Sequence, residues 1–74
     1  MARVLITGGS GFIGTNLVQY CLDRGDDVMN VDFRPPRQAT HSTVWRNADL
    51  LDGEALGQAV RDHAPEVVFH LAAR

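Results

Sequence analysis

The sequence predicts an α/β fold built on a parallel sheet, and three observations carry that expectation. Short apolar runs of strand length alternate with stretches of helical period. Four glycines, Gly8, Gly9, Gly11 and Gly14, stand between the first run and the first helical stretch. An aspartate, Asp32, closes the second run.

Each element has its own local signal. Arg3 to Thr7 (RVLIT) is rich in branched apolar residues and is ended by glycine, so it reads as a buried strand. From Gly11 to Arg24 the apolar spacing becomes helical, with Ile13, Leu17 and Cys21 as the stripe and Val18 and Leu22 beside it. Gly25 stops that helix, with the basic Arg24 expected in its last turn. Asp27 to Asp32 (DVMNVD) reads as a second strand. The two prolines and the polar residues of FRPPRQATHS read as a loop. Thr43 to Arg46 is a short third strand. Asp52 caps a second helix that runs to about Ala64, with Leu56 and Val60 as its apolar face. Glu66 to Leu71 (EVVFHL) is almost continuously apolar and reads as a fourth strand covered on both faces.

Bulk properties narrow the function. At 74 residues the chain is one small domain or part of one, with a thin core. A net charge of −2 argues against nucleic acid or an anionic membrane as partner, since both need a basic surface. No apolar stretch approaches the roughly 20 residues of a membrane span. Cys21 is the only cysteine, which excludes an internal disulfide and points to a reducing, cytoplasmic location. Cys21, His41, His63 and His70 lack metal-ligand spacing. On these readings Cys21 is an inert core thiol, His41 a loop residue, His63 the last turn of a helix and His70 a strand-end residue. All seven basic residues are arginines, so no mechanism that needs a lysine runs on this chain alone.

The glycines suggest a ligand. A strand enters, glycines turn the chain and a helix leaves, which gathers free backbone N–H groups and a positive helix end at one place. Gly9, Gly11 and Gly14 spell G-x-G-x-x-G, and Gly8, Gly11 and Gly14 spell G-x-x-G-x-x-G. Asp32 lies 18 residues after Gly14, close to the position of a ribose-binding carboxylate. A dinucleotide is therefore expected, with Asp32 accepting hydrogen bonds from the adenosine ribose. That carboxylate would repel a 2′-phosphate, which favours NAD over NADP. A P-loop is excluded, because no lysine can reach a phosphate.

TGGSGFIG, VD, ADLLD and HLAA, in that order, resemble the N-terminus of the extended short-chain dehydrogenases/reductases, the NAD-dependent epimerase/dehydratase group that acts largely on nucleotide sugars. The resemblance spans Arg3 to Arg74. It implies a Rossmann-type doubly wound sheet, here strands one to four in the order 3-2-1-4. It implies a glycine turn of Thr7, Gly8, Gly11 and Gly14, with Phe12 and Ile13 presenting N–H groups to the pyrophosphate. Phe33 and Arg34 would border the adenine, and Asp49 and Leu50 would meet its edge. Leu71, Ala72 and Ala73 would line the cofactor after strand four. Arg34 and Arg37 read otherwise as solvated loop residues.

The group's Tyr-x-x-x-Lys pair is missing. The one tyrosine, Tyr20, lies in the first helix and is followed four residues later by Arg24. The resemblance thus makes residues 1–74 the N-terminal part of an NAD(P)-binding Rossmann domain, without the rest of that domain or a substrate domain. Alone, the chain is expected to be inactive and to bind NAD weakly. The complete protein would be a homodimer acting on a nucleotide sugar. A non-catalytic dinucleotide-binding or structural module, and a reductase of non-sugar alcohols such as steroids, are the alternatives.

Overall fold

The computed structural model describes residues 1–72. Its elements run β1 (Arg3–Thr7), α1 (Phe12–Asp23), β2 (Asp27–Asp32), a 3₁₀ turn (Ala39–Val44), β3 (Trp45–Asn47), α2 (Gly53–His63) and β4 (Val67–His70). The four strands form one parallel sheet in the order β3-β2-β1-β4. The central β1 pairs Arg3–Thr7 with Asp27–Val31 on one side and Val4–Thr7 with Val67–His70 on the other.

Alternation along β1 divides the core in two. Val4 and Ile6 join Val18 and Cys21 of α1 and Val28 of β2. Leu5 points to the opposite face and joins Val31, Ala48 and Ala59, the last from α2. A helix on each face is what a parallel sheet needs, because its crossovers must return over one side or the other.

The helix ends follow local chemistry. The Asp52 carboxylate caps α2 by accepting from the Ala55 N–H at 3.2 Å. At the far end of α2 the His63 Nε2 donates to the backbone carbonyls of Val4 and Asp27, each at 3.0 Å, which pins the helix to the sheet. Arg46 of β3 also reaches α2, with Nη1 2.7 Å from Asp62 Oδ2, and together with Gln58 it holds that carboxyl below its ordinary pKa. Burial raises the Cys21 thiol pKa, Asp26 adds to the rise and Arg24 opposes it, so the group stays protonated and inert.

Several expectations need correction. The buried stripe of α1 is Gly14, Thr15, Val18 and Cys21, while Ile13 is 72% exposed. Small residues set this phase: the flank that carries Gly14 and Thr15 is the one buried, and the large apolar Ile13 turns outward. In α2 the buried residue is Ala59, with Ala55 and Leu56 packed beside it, and Val60 lies exposed. Arg24 is the C-cap of α1 rather than part of its last turn. The third strand begins two residues later than expected, because Thr43 and Val44 complete the 3₁₀ turn. His41, expected in a loop, is buried in that turn with Nε2 2.9 Å from Gln19 Oε1. The fourth strand is exposed along its whole length instead of covered. It has one neighbour in the sheet, β1, which leaves its other edge unpaired.

Candidate functional site

The carboxyl ends of the strands converge on an open cleft of about 270 Å³. Its lining is Gly8 after β1, Asp32, Phe33 and Arg34 at the end of β2, Leu50 after β3, and Leu71 and Ala72 after β4. This is where an open parallel sheet presents ligand-binding groups, between the two strands at which the winding changes direction.

Gly8 fixes the turn. Its φ of +77° is costly for any residue with a Cβ. Its N–H donates to the Val31 carbonyl at 3.0 Å, and a Cβ here would lie 2.8 Å from the Ala72 backbone nitrogen. Gly14 is held by close approach. A Cβ there would collide with the Gly8 carbonyl oxygen and stand 2.6 Å from the Gly9 Cα. The helix therefore packs against the turn itself, one step nearer the ligand end than packing against the strand would bring it.

Gly11 is different. It is the N-cap of α1, its backbone is extended, and no side chain caps the helix. A Cβ on Gly11 would make ordinary van der Waals contacts, with Arg34 Nη2 at 3.5 Å and the Gly8 carbonyl oxygen at 3.6 Å as its nearest neighbours. Nothing in the fold requires a glycine there. The first-turn N–H groups of Phe12, Ile13 and Gly14 have no acceptor within the helix, which places the positive end of α1 beside the glycine turn, although none of the three lines the cleft and Phe12 lines a separate recess with Thr15, Asn16, Arg37 and Gln38.

Asp32 is the keystone of the turn. It is only 2% exposed. Its Oδ2 accepts from the Ser10 N–H and its Oδ1 from the Arg34 N–H, both at 3.0 Å. The Arg34 Nε stands 3.5 Å from Oδ1. A carboxylate has about four acceptor positions, so Asp32 retains capacity for a further donor while lining the cleft. Behind it, the Trp45 indole N–H donates to the Asp32 carbonyl at 2.8 Å.

Sequence reading missed the brace behind the glycines. Asn30, fully buried in β2, accepts from the Gly9 N–H at 2.9 Å and donates to Ser10 Oγ at 3.2 Å. Ser10 Oγ in turn donates to the Arg34 carbonyl at 2.8 Å. The signal was present: a polar Asn in the middle of a buried strand must find partners, and the adjacent turn is the place that can supply them.

The other expected residues distribute as follows. Phe12 and Ile13 stand exposed at the start of α1, with the Arg37 guanidinium over the Phe12 ring at 5.6 Å. Leu50, Leu71 and Ala72 line the cleft. Asp49 is not part of the lining; its Oδ1 accepts from the Leu51 N–H at 2.9 Å in a local turn. Ala73 lies outside the described residues. His70 sits at the end of β4 with Nδ1 2.6 Å from Thr7 Oγ1, a strand-end position as expected. Tyr20 lies on α1 beneath the Arg24 guanidinium and outside the cleft lining. Among the described residues no cluster of His, Cys, Asp and Glu could hold a metal ion, and no helix is long and apolar enough to cross a membrane.

Similarity to characterised proteins agrees with this geometry. The chain is 33% identical over 81 residues to dTDP-glucose 4,6-dehydratase 1 of Escherichia coli, covering 96% of the chain and 22% of that protein. It is 39% identical over 74 residues to a 3-beta-hydroxysteroid dehydrogenase of Mycolicibacterium neoaurum, covering 99% and 20% respectively. The UDP-glucose 4-epimerase of Thermus thermophilus, solved in complex with NAD, superposes with a TM-score of 0.83 at 37% identity, covering 97% of this chain and 24% of that one. The chain thus spans about a quarter or less of the length of these relatives. Residues 4–74 match the NAD dependent epimerase/dehydratase family, and with the β3-β2-β1-β4 sheet and the glycine turn in place, the chain belongs to that family.

Proposed function

We propose that residues 1–74 are the N-terminal, adenosine-side part of a Rossmann domain that binds NAD, in an enzyme acting on a nucleotide sugar. The observation that carries this reading is Gly11. A Cβ there would meet only ordinary contacts, with Gly8 and Arg34 of the cleft, so the fold itself leaves room for one, and the position adjoins the start of α1, which no side chain caps. A diphosphate suits that combination, because backbone N–H groups and the helix dipole both favour an anion that can approach without a side chain in the way.

The remaining residues fit the same ligand. Asp32 would accept from the ribose hydroxyls with the lone pairs it has left. Phe33 and Leu50 offer apolar surface to the adenine, and Leu71 and Ala72 flank the path toward the nicotinamide. Asp32 lines the cleft, and a carboxylate beside the ribose would repel a 2′-phosphate, which favours NAD over NADP. When bound, NAD supplies a hydride acceptor. This chain's own residues bind and orient its adenosine half and hold no acid/base group for the reaction. Alone, the chain is inactive and binds NAD more weakly than micromolar, because half a pocket forgoes half the contacts. The similarity to UDP-glucose 4-epimerase and dTDP-glucose dehydratase favours a sugar substrate. A steroid dehydrogenase at 39% identity keeps non-sugar alcohols as the second reading.

The test is Gly11→Ala. The added methyl fits the folded chain, and the N-cap exchange is expected to change stability by no more than about 1 kcal/mol. NAD affinity is expected to fall at least about tenfold, since the methyl occupies the approach to the diphosphate. Unchanged affinity with unchanged stability would remove the basis for placing a diphosphate here.

A further inference from the structure

A diphosphate at the glycine turn faces an electrostatic difficulty that the cleft must resolve. Asp32 Oδ2 lies 3.0 Å from the Ser10 nitrogen, one residue from Gly11, so a buried carboxylate stands beside the place where a dianion would sit. The end of α1 offers only about half a unit of positive charge against it. Across the few ångströms of a partly buried site, that repulsion is poorly screened.

Arg34 is the one cationic side chain that lines the cleft among the described residues. Its backbone is tied at both ends: its N–H donates to Asp32 Oδ1, and its carbonyl accepts from Ser10 Oγ at 2.8 Å. Pro35 and Pro36 follow, which stiffens the segment that launches its side chain. The guanidinium lies over the Phe33 ring at 5.8 Å. Its Nε faces Asp32, while its Nη2 reaches across to within 3.5 Å of where a Gly11 Cβ would be. Arg37 is directed elsewhere, over Phe12 in a separate recess with Thr15, Asn16 and Gln38.

We infer that Arg34 binds the diphosphate of the dinucleotide, as a preorganised countercharge that offsets Asp32 and closes the anion site from the side opposite α1. This rests on the dinucleotide reading above and differs from a role bordering the adenine. One fork of the guanidinium neutralises the carboxylate, and the other presents N–H donors over Gly11.

The experiment titrates ADP, adenosine and NADP into wild-type protein, Arg34→Ala and Arg34→Lys, reading amide chemical shifts at Gly8–Gly14. The side chain of Arg34 is exposed, so both variants are expected to keep the wild-type amide pattern elsewhere. Arg34→Ala should weaken ADP about tenfold or more and leave adenosine within about twofold, with Arg34→Lys between the two. Equal weakening of ADP and adenosine would assign Arg34 to the base and overturn the inference. A loss confined to NADP would assign it to the 2′-phosphate and overturn it as well. Undiminished ADP binding by Arg34→Ala would remove Arg34 alone, whereas wild-type protein giving no shifts at Gly8–Gly14 with ADP would remove the dinucleotide reading together with it.

Discussion

Gly14→Ala is expected to destabilise the protein by roughly 3 kcal/mol or more, against the usual direction for this exchange. In an ordinary helix interior, alanine in place of glycine gains about 1 kcal/mol. Here the new methyl would meet the Gly8 carbonyl and lie 2.6 Å from the Gly9 Cα, both rigid backbone. Relief requires moving the turn, which also breaks the Gly8 N–H bond to Val31 and the Gly9 N–H bond to Asn30. The overpacking cost therefore exceeds the propensity gain. Gly57 in α2 provides the control, because its nearest neighbour is the flexible end of Arg61 at 3.4 Å. Gly57→Ala should stabilise by up to about 1 kcal/mol. Urea unfolding of the two variants beside wild type checks both signs. A stabilised Gly14→Ala would mean that α1 does not press on the glycine turn as described.

Asp32→Ala is expected to cost roughly 3–5 kcal/mol and to abolish dinucleotide binding. The substitution leaves the Ser10 and Arg34 N–H groups without their charged acceptor, and Ser10 is buried. A domain of this size has only a few kcal/mol to spare, so the turn and much of the fold should loosen together. Asp32→Asn should fall between wild type and Asp32→Ala, since its amide keeps one acceptor oxygen but loses the charge. Chemical denaturation measures the series. A change below about 1 kcal/mol for Asp32→Ala would show that the carboxylate does not hold the turn.

What was legible in the sequence follows physical lines. The strands RVLIT and DVMNVD have the expected boundaries, because glycine or polar residues end each apolar run sharply. The strand-turn-helix placement of the glycines was legible for the same reason. The phase of α1 was not, since scoring large apolar residues favoured Ile13 over Gly14 and Thr15, and close packing chose the small ones. The 3₁₀ turn is polar and has no periodic pattern to reveal it, yet it buries His41. The edge position of β4 was legible from the 3-2-1-4 order that the resemblance implies, but its uncovered faces were not, because an apolar run records what a strand prefers and not what lies beside it. Asp32 and Gly8, which line the cleft, stand out by motif. Asn30 and Ser10, which brace them, belong to no motif and appear only when each buried polar group is assigned a partner.

The central claim, that the glycine turn and Asp32 together hold the adenosine diphosphate half of NAD, is tested most directly by following backbone amide shifts of the wild-type chain on addition of NAD. The largest shifts are expected at Gly11 to Gly14 and at Asp32 to Arg34, with smaller ones at Leu71 and Ala72. Shifts absent from the turn, or confined to the recess at Phe12 and Arg37, would contradict it.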